Sequence, residues 1–357
     1  MAAPSPAAAA DRPAQLSQDR LSEASLSAPA PSVWVLHDGK PGMASQALGL
    51  AEATGFAFTE RKLSIRRPWA WLPPQLWLAP LDAARDSGLA LVPPWPDLVI
   101  GCGRNTARPA LAIRRANGGR TLAAQIQDPR VGRGEFDMLF VPEHDRLRGP
   151  RIVVTGGALN RVTAQLLAAE RRRFPGLEAL PRPILGVLIG GSNRTYRLDL
   201  SRLAEIAEMV AAVLRQNGGS SVVTPSRRTG ESGLSVLRER LGGVPGAIWD
   251  GTGDNPYYAY LAIADALLVT ADSVSMVSEA AATGKPVHII GLDGGDAKFA
   301  RFHETMRQAG ITRPFAGRIE SWSYAPPDDT ARAGAALREV VLKRLALRGA
   351  AMNDRLV

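Results

Sequence analysis

The stretch VTADSVSMVSEAAATGKPVHII, residues 269–290, decides how the rest of the chain is read. An apolar run from Ala266 ends at Thr270, and small and polar residues follow: Ala271, Asp272, Ser273 and Ser275. Helical spacing continues to Thr283, and Pro286 to Ile290 forms a second apolar run. Strand, polar turn, helix, strand is the repeating unit of a parallel α/β sheet. The start of such a helix carries unpaired N–H groups and a partial positive charge, which together hold a phosphate. Glu279 falls one turn deeper, four residues after Ser275 and on the same side of the helix, where a carboxylate can accept hydrogen bonds from ribose hydroxyls. Capping of the helix by Asp272 or Ser273 uses the same residues, so both uses stay open.

The unit recurs on either side. Upstream, a strand over Pro183–Ile189 leads through the loop Gly190–Asp199 into a helix over Leu200–Gln216, and a strand over Ser220–Thr224 leads through Pro225–Gly230 into a helix over Ser232–Leu241. Gly190 and Gly191 let backbone amides approach a ligand with no Cβ in the way. Ser192 and Asn193 add polar groups and Arg194 a fixed cation; an exposed turn is the plain alternative. In TPSRRT, Arg227 and Arg228 are able to grip a phosphate bidentately or to stay on solvated surface. The turns at Gly190, Ser226 and Ala271 all follow strand ends, where open parallel sheets bind ligands.

Nearer the start, Val33–Leu36 reads as a strand, His37–Met43 as a loop and Ala44–Thr54 as a helix. A second unit runs from Pro96–Gly101 into a helix ending at Arg115, and strands follow at Thr121–Ile126, Met138–Val141 and Ile152–Thr155. In HDGKPG, Asp38 is a candidate general base and Lys40 a phosphate contact, with a structural turn closed by their salt bridge as the alternative. This reading gives two α/β domains, over 32–165 and 184–325, a proline-containing connection over 166–183, and a helix within 326–357 that spaces Ala333, Leu337, Val340, Val341 and Leu345 for packing. Residues 1–31, rich in Ala, Pro and Ser, are expected to form a disordered tail.

A chain of 357 residues, 45% hydrophobic and 22% charged, is long enough for two cores. Its net charge of +9 favours anionic partners: a nucleotide sugar or other phosphorylated molecule, or an anionic membrane surface. Nucleic acid is not expected. Cys102 is the single cysteine and the four histidines show no ligand spacing, so neither disulfide nor zinc site is expected. The densest apolar region, Trp69–Val92, is interrupted by three prolines and three charges and falls short of the ~18 apolar residues of a membrane span. A reducing, cytoplasmic setting follows. Trp69, Trp71 and Trp77 serve either a packed core loop or a membrane contact. Nucleophile elbow, zincin and dinucleotide fingerprints are missing, as is an Asp-x-Asp pair. A transferase reading is therefore metal-independent, with no resident cofactor and with arginine, lysine and helix dipoles neutralising a leaving diphosphate.

The segments WVLHDGKPGMASQALGLAEATG, PDLVIGCGRNTARPALAIRRANGG, FDMLFVPEHD, GGSNRTYRLD, TPSRRT, the 269–292 stretch and KFARFH together resemble the mitochondrial fission ELM1-like family. The resemblance implies two Rossmann-like domains in the glycosyltransferase-B arrangement, with an interdomain cleft. Within it, DSVSMVSEAAATGKPV is similar to the donor-binding turn of the cell-wall glycosyltransferases related to MurG. That likeness implies ribose binding by Glu279, and diphosphate binding by Ser273, Ser275 and the Gly190 loop. Plant members are associated with recruiting a dynamin-related protein to the mitochondrial outer membrane. The Ala- and Arg-rich composition instead fits a bacterial protein, so the expected activity is sugar transfer from a nucleotide diphosphate at or near the inner membrane face. The alternative is a non-catalytic recruitment protein of the same fold.

Overall fold

The computed structural model describes residues 30–353; the expected disordered tail lies, up to residue 29, outside the described residues. In chain order the first half holds β1 (Val33–His37), α1 (Pro41–Thr54), β2 (Thr59–Ile65), α2 (Pro80–Ala83), β3 (Ala84–Asp86), β4 (Leu89–Ala90), β5 (Leu98–Cys102), α3 (Arg104–Ala116), β6 (Leu122–Ile126), β7 (Met138–Pro142) and β8 (Ile152–Thr155). These strands form one sheet ordered β4-β3-β2-β1-β5-β6-β7-β8. From β2 to β8 it is parallel, and β3 and β4 add an antiparallel edge.

Its central strands are buried throughout and mostly apolar, because helices cover both faces. Val33, Val35, Ile100 and Ala124 point to one face, with Leu50 and Ala51 of α1. Trp34, Leu36, Val99 and Ala123 point to the other, with Ala110 and Leu111 of α3. That alternation is the pleat sorting one strand's side chains into two cores.

Residues 164–173 form α4 (Ala164–Arg173), capped by Thr163, whose Oγ1 accepts from Leu166 N at 3.1 Å. The stretch expected to be a bare connection is thus helical in its first half, ending where Pro175 follows. Next come β9 (Ile184–Ile189), β10 (Tyr196–Arg197), α5 (Leu200–Asn217), β11 (Ser220–Pro225), α6 (Gly230–Leu241), β12 (Gly246–Ile248), α7 (Tyr257–Ile263), β13 (Ala266–Thr270), α8 (Val274–Ala281), β14 (Val287–Ile290), β15 (Asp293–Gly294), α9 (Ala297–Gln308), β16 (Thr312–Pro314) and α10 (Asp329–Asn353). The second sheet is parallel, in the order β12-β11-β9-β13-β14-β16. Leu185, Val187 and Leu268 meet α5 and α6 on one face; Leu188, Leu267 and Val269 meet α8 and α9 on the other.

Helix α10 crosses back. Its Ala333, Leu337 and Val341 belong to the core of the first sheet beside Val33 and α1, with Val340 and Leu345 packed against them. The two halves therefore make two Rossmann-like domains in the glycosyltransferase-B arrangement, crossed once after β8 and again before α10. At the crossings, Ser278 Oγ accepts from Ala158 N at 2.9 Å, and Asp329 Oδ2 accepts from Gly156 N at 2.8 Å. Among the described residues no helix is long and apolar enough to cross a membrane.

Trp69, Trp71 and Trp77 divide. Trp77 is buried, its Nε1–H donating to the carbonyls of Trp69 and Leu72 at 3.0 and 3.2 Å. Trp71 stands 71% exposed.

Candidate functional site

Three strand ends meet where β9, β11 and β13 finish side by side. Gly190, just past β9, donates its N–H to Thr270 Oγ1 at 2.8 Å, and its carbonyl accepts from Ser226 Oγ at 2.6 Å and Thr229 Oγ1 at 2.8 Å. Glycine is required here by contact: a Cβ on Gly190 would lie 2.2 Å from both carboxylate oxygens of Asp272. Gly191 donates its N–H to Asp272 Oδ2 at 3.1 Å. Arg228 ties the second turn to both, donating to Gly191 O at 2.6 Å and to Asp272 Oδ2 at 2.7 Å. The turns after β9, β11 and β13 thus form one hydrogen-bonded unit.

Within it the residues singled out from sequence do different things. Ser192 and Asn193 mostly hold their own loop: Ser192 Oγ donates to Leu198 O at 3.0 Å, and Asn193 Oδ1 accepts from Thr195 N at 2.7 Å and Tyr196 N at 2.8 Å. Asn193 Nδ2 also donates to Asp272 O at 3.3 Å. Arg194 and Arg227 are exposed and have no ion-pair partner among the described residues. Asp272 is buried, and its Oδ1 has no hydrogen-bond partner. Ser273 caps α8, accepting from Met276 N at 3.3 Å. Val277 N is the first amide to bond back, to Ser273 O at 3.1 Å, which leaves the N–H groups of Val274 and Ser275 open, as expected at a helix start.

Ser275 faces the other domain. A Cβ on Gly42, in the first turn of α1, would lie 2.7 Å from Ser275 Oγ, and Gln46 Nε2 donates to the same hydroxyl at 3.4 Å. The N-terminal turns of α1 and α8 therefore approach each other across the domain boundary. Glu279 lies deeper on the same seam. Its Oε1 accepts from Ser45 Oγ at 2.5 Å and its Oε2 from Tyr257 Oη at 2.6 Å. Burial raises its pKa above the ordinary 4.5, with the Ser45 and Tyr257 hydrogen bonds pulling the other way. Both of its oxygens are thus taken by polar partners, Ser45 from the first domain and Tyr257 from the second.

On the first domain's side, the loop after β1 turns through Gly39, at φ +73. Gly39 N donates to His37 Nδ1 at 3.1 Å, which makes His37 Nε2 the proton carrier toward Glu60 Oε1, 2.8 Å away. Asp38 pairs with the Lys40 ammonium and accepts from Lys40 N at 3.3 Å. Both line a cavity of about 580 Å³ together with Lys62, Leu72, Trp77 and Asn105. A cavity of about 650 Å³ lies at the domain crossings, lined by Asn160, Arg161, Ser278 and Asp329. Neither reaches the Gly190 turn, so size does not identify the chemistry; the joined strand-end turns are the stronger pointer.

Three neighbours escape a reading of the sequence by motif. Ser45 and Tyr257 carry no signal until the fold brings them to Glu279. His303, in KFARFH, donates Nε2–H to Ala271 O at 2.8 Å, leaving a buried Nδ1 without a partner, and burial lowers its pKa.

Two parallel-sheet domains, with an open helix start on the seam between them and a glycine turn beside that start, define a protein of glycosyltransferase-B architecture. The fold matches a putative UDP-N-acetylglucosamine 2-epimerase from Listeria monocytogenes with a TM-score of 0.51 at 13% identity, over 89% of this chain and 91% of that one. The family model described as Mitochondrial fission ELM1 matches residues 41–341, and the chain belongs to that family. The mitochondrial fission protein ELM1 of Arabidopsis thaliana is 37% identical over 284 residues, 71% of this chain and 65% of the plant protein. The chain thus spans less than two thirds of that relative's length. An uncharacterized protein of Rickettsia prowazekii is 26% identical over 340 residues, 83% of this chain and 94% of that protein.

Proposed function

We propose that the seam binds a nucleotide diphosphate sugar and that the chain transfers the sugar without a metal, on the cytoplasmic side of a membrane. The carrying observation is the single hydrogen-bonded unit that the turns at Gly190–Gly191, Ser226–Arg228 and Asp272 make beside the open start of α8, which Ser273 caps. In this reading the diphosphate lies on the free amides of Val274 and Ser275 and the Gly190 turn, with Arg194 and Arg227 supplying mobile positive charge. Arg228 neutralises Asp272, which would otherwise repel the ligand.

The acceptor enters beside Asp38. Its hydroxyl oxygen forms a bond to the anomeric carbon as the bond from that carbon to the phosphate oxygen breaks. The proton passes to Asp38, and the electron pair leaves with the diphosphate, whose charge the arginines, Lys40 and the α8 amides stabilise. Ribose reaches Glu279 only when Ser45 releases it, so binding parts the domains at α1 and α8.

A second reading, a non-catalytic binding protein, is favoured by one observation: both Glu279 oxygens are already occupied by Ser45 and Tyr257. Calorimetric titration with uridine, guanosine and adenosine diphosphates separates the two. Binding of one of them, weakened about tenfold or more by Glu279→Gln through loss of a charge-assisted hydrogen bond, supports the donor site. No heat from any of them at millimolar concentration removes it.

A further inference from the structure

We propose that the edge of the larger sheet, residues 66–92, docks on an anionic lipid bilayer. Six of the eight large apolar side chains exposed among the described residues lie in this one segment: Trp71, Leu72, Leu76, Leu78, Leu89 and Val92. Leu78 and Leu89 are 90% and 74% exposed. Apolar exposure concentrated in this way marks an interaction surface, whereas scattered exposed leucines do not.

The display is enforced. Trp77 plugs the core and holds the carbonyls of Trp69 and Leu72 through its indole N–H, and Arg108 Nη2 donates to Trp77 O at 3.1 Å. With the loop anchored at Trp77, Trp71 and Leu78 on either side of it stand outward.

Charge selects the occupant. Arg66 and Arg67 are exposed, Arg67 stacks over the Trp71 ring at 5.2 Å, and neither these two nor Lys62 has an ion-pair partner among the described residues. Asp82 is the one acid of the segment without a pairing there, since Arg61 takes Asp86. An amphipathic tryptophan beside free cations and protruding leucines matches the boundary between anionic headgroups and acyl chains. A second copy of this basic face would be repelled by it. The docking stands apart from the nucleotide reading and deepens it at one point: Leu72 and Lys62 also line the Asp38 cavity, so an acceptor entering there comes from the lipid side.

Flotation of the full chain with phosphatidylcholine vesicles, with and without phosphatidylglycerol, tests this. Binding is expected only with phosphatidylglycerol, falling with added salt. Trp71→Ala with Leu78→Ser, and separately Arg66→Glu with Arg67→Glu, should each weaken it about tenfold or more. These side chains are exposed, so unchanged melting temperatures are expected to verify folding. Failure of the wild type to float, or equal flotation of the variants, overturns the proposal, as does capture by a protein in place of vesicles. Nucleotide titration of the same samples reads the donor site independently, so either idea can fail alone.

Discussion

Glu279 pays for its place on the seam with burial, and the sign of that cost is measurable. Its folded pKa lies above the ordinary 4.5, so between 4.5 and the folded value the folded state holds a proton that the unfolded chain has released. Stability contributed by this group therefore falls as pH rises through that window. Glu279→Gln, whose amide can serve both Ser45 and Tyr257, should flatten this part of the stability–pH curve in urea unfolding; an unchanged slope would mean the carboxyl is not protonated there. At Asp272 the argument runs through pairing. Its side chain is fully buried, while Arg228 is 40% exposed. Arg228→Ala should cost about 2–3 kcal/mol, below the roughly 3–5 of a fully buried broken pair, and adding Asp272→Asn should restore much of it. Equal losses in the single and double variants would contradict the coupling.

At the scale of elements, strands β1, β5, β6, β7 and β9 were readable because covering helices leave apolar side chains on both faces. Strand β2, with the sequence TERKLSI, exposes most of its residues and gave no such signal. Helix α1 begins at Pro41, earlier than the expected Ala44, because proline costs nothing in a first helical turn whose amides are unpaired anyway. Helix α4 was hidden by the prolines after it. The strand-end turns of the site were legible because turn chemistry is local in sequence. Ser45 was not, since it meets Glu279 from 234 residues away. The spacing on α10 foretold its packed face but not its partner. Where it crosses α1, a Cβ on Gly334 would lie 2.4 Å from that of Ala53. Gly334→Val should therefore cost about 1–3 kcal/mol through overpacking, read as a lower urea midpoint with unchanged slope; a neutral effect would mean the helices do not approach so closely.

For the molecule as a whole, acid should act through buried histidines. Burial pushes His144 down to about 4 and lowers His288 and His303 as well. The unfolded chain then binds protons that the folded one refuses, so stability present above about pH 6.5 is lost as pH falls toward 4, by at most about 1.4 kcal/mol for each tenfold drop in a ring's proton affinity on folding. His144 sits under the interdomain contact, where its carbonyl accepts from Arg301 Nη2 at 3.1 Å and Lys298 pairs with Asp145 at 2.5 Å. His144→Phe should blunt the acid loss in a thermal melt series; an identical acid profile would exclude it as the sensor.

Diphosphate binding at the Gly190 turn and the start of α8 is tested most directly by a crystal soaked with uridine, guanosine or adenosine diphosphate. Difference density for two phosphates is expected on the Gly190–Gly191 turn and the Val274 and Ser275 amides, with Ser45 drawn away from Glu279. Phosphate density only at the crossing cavity beside Arg161, or none at millimolar ligand, would contradict it.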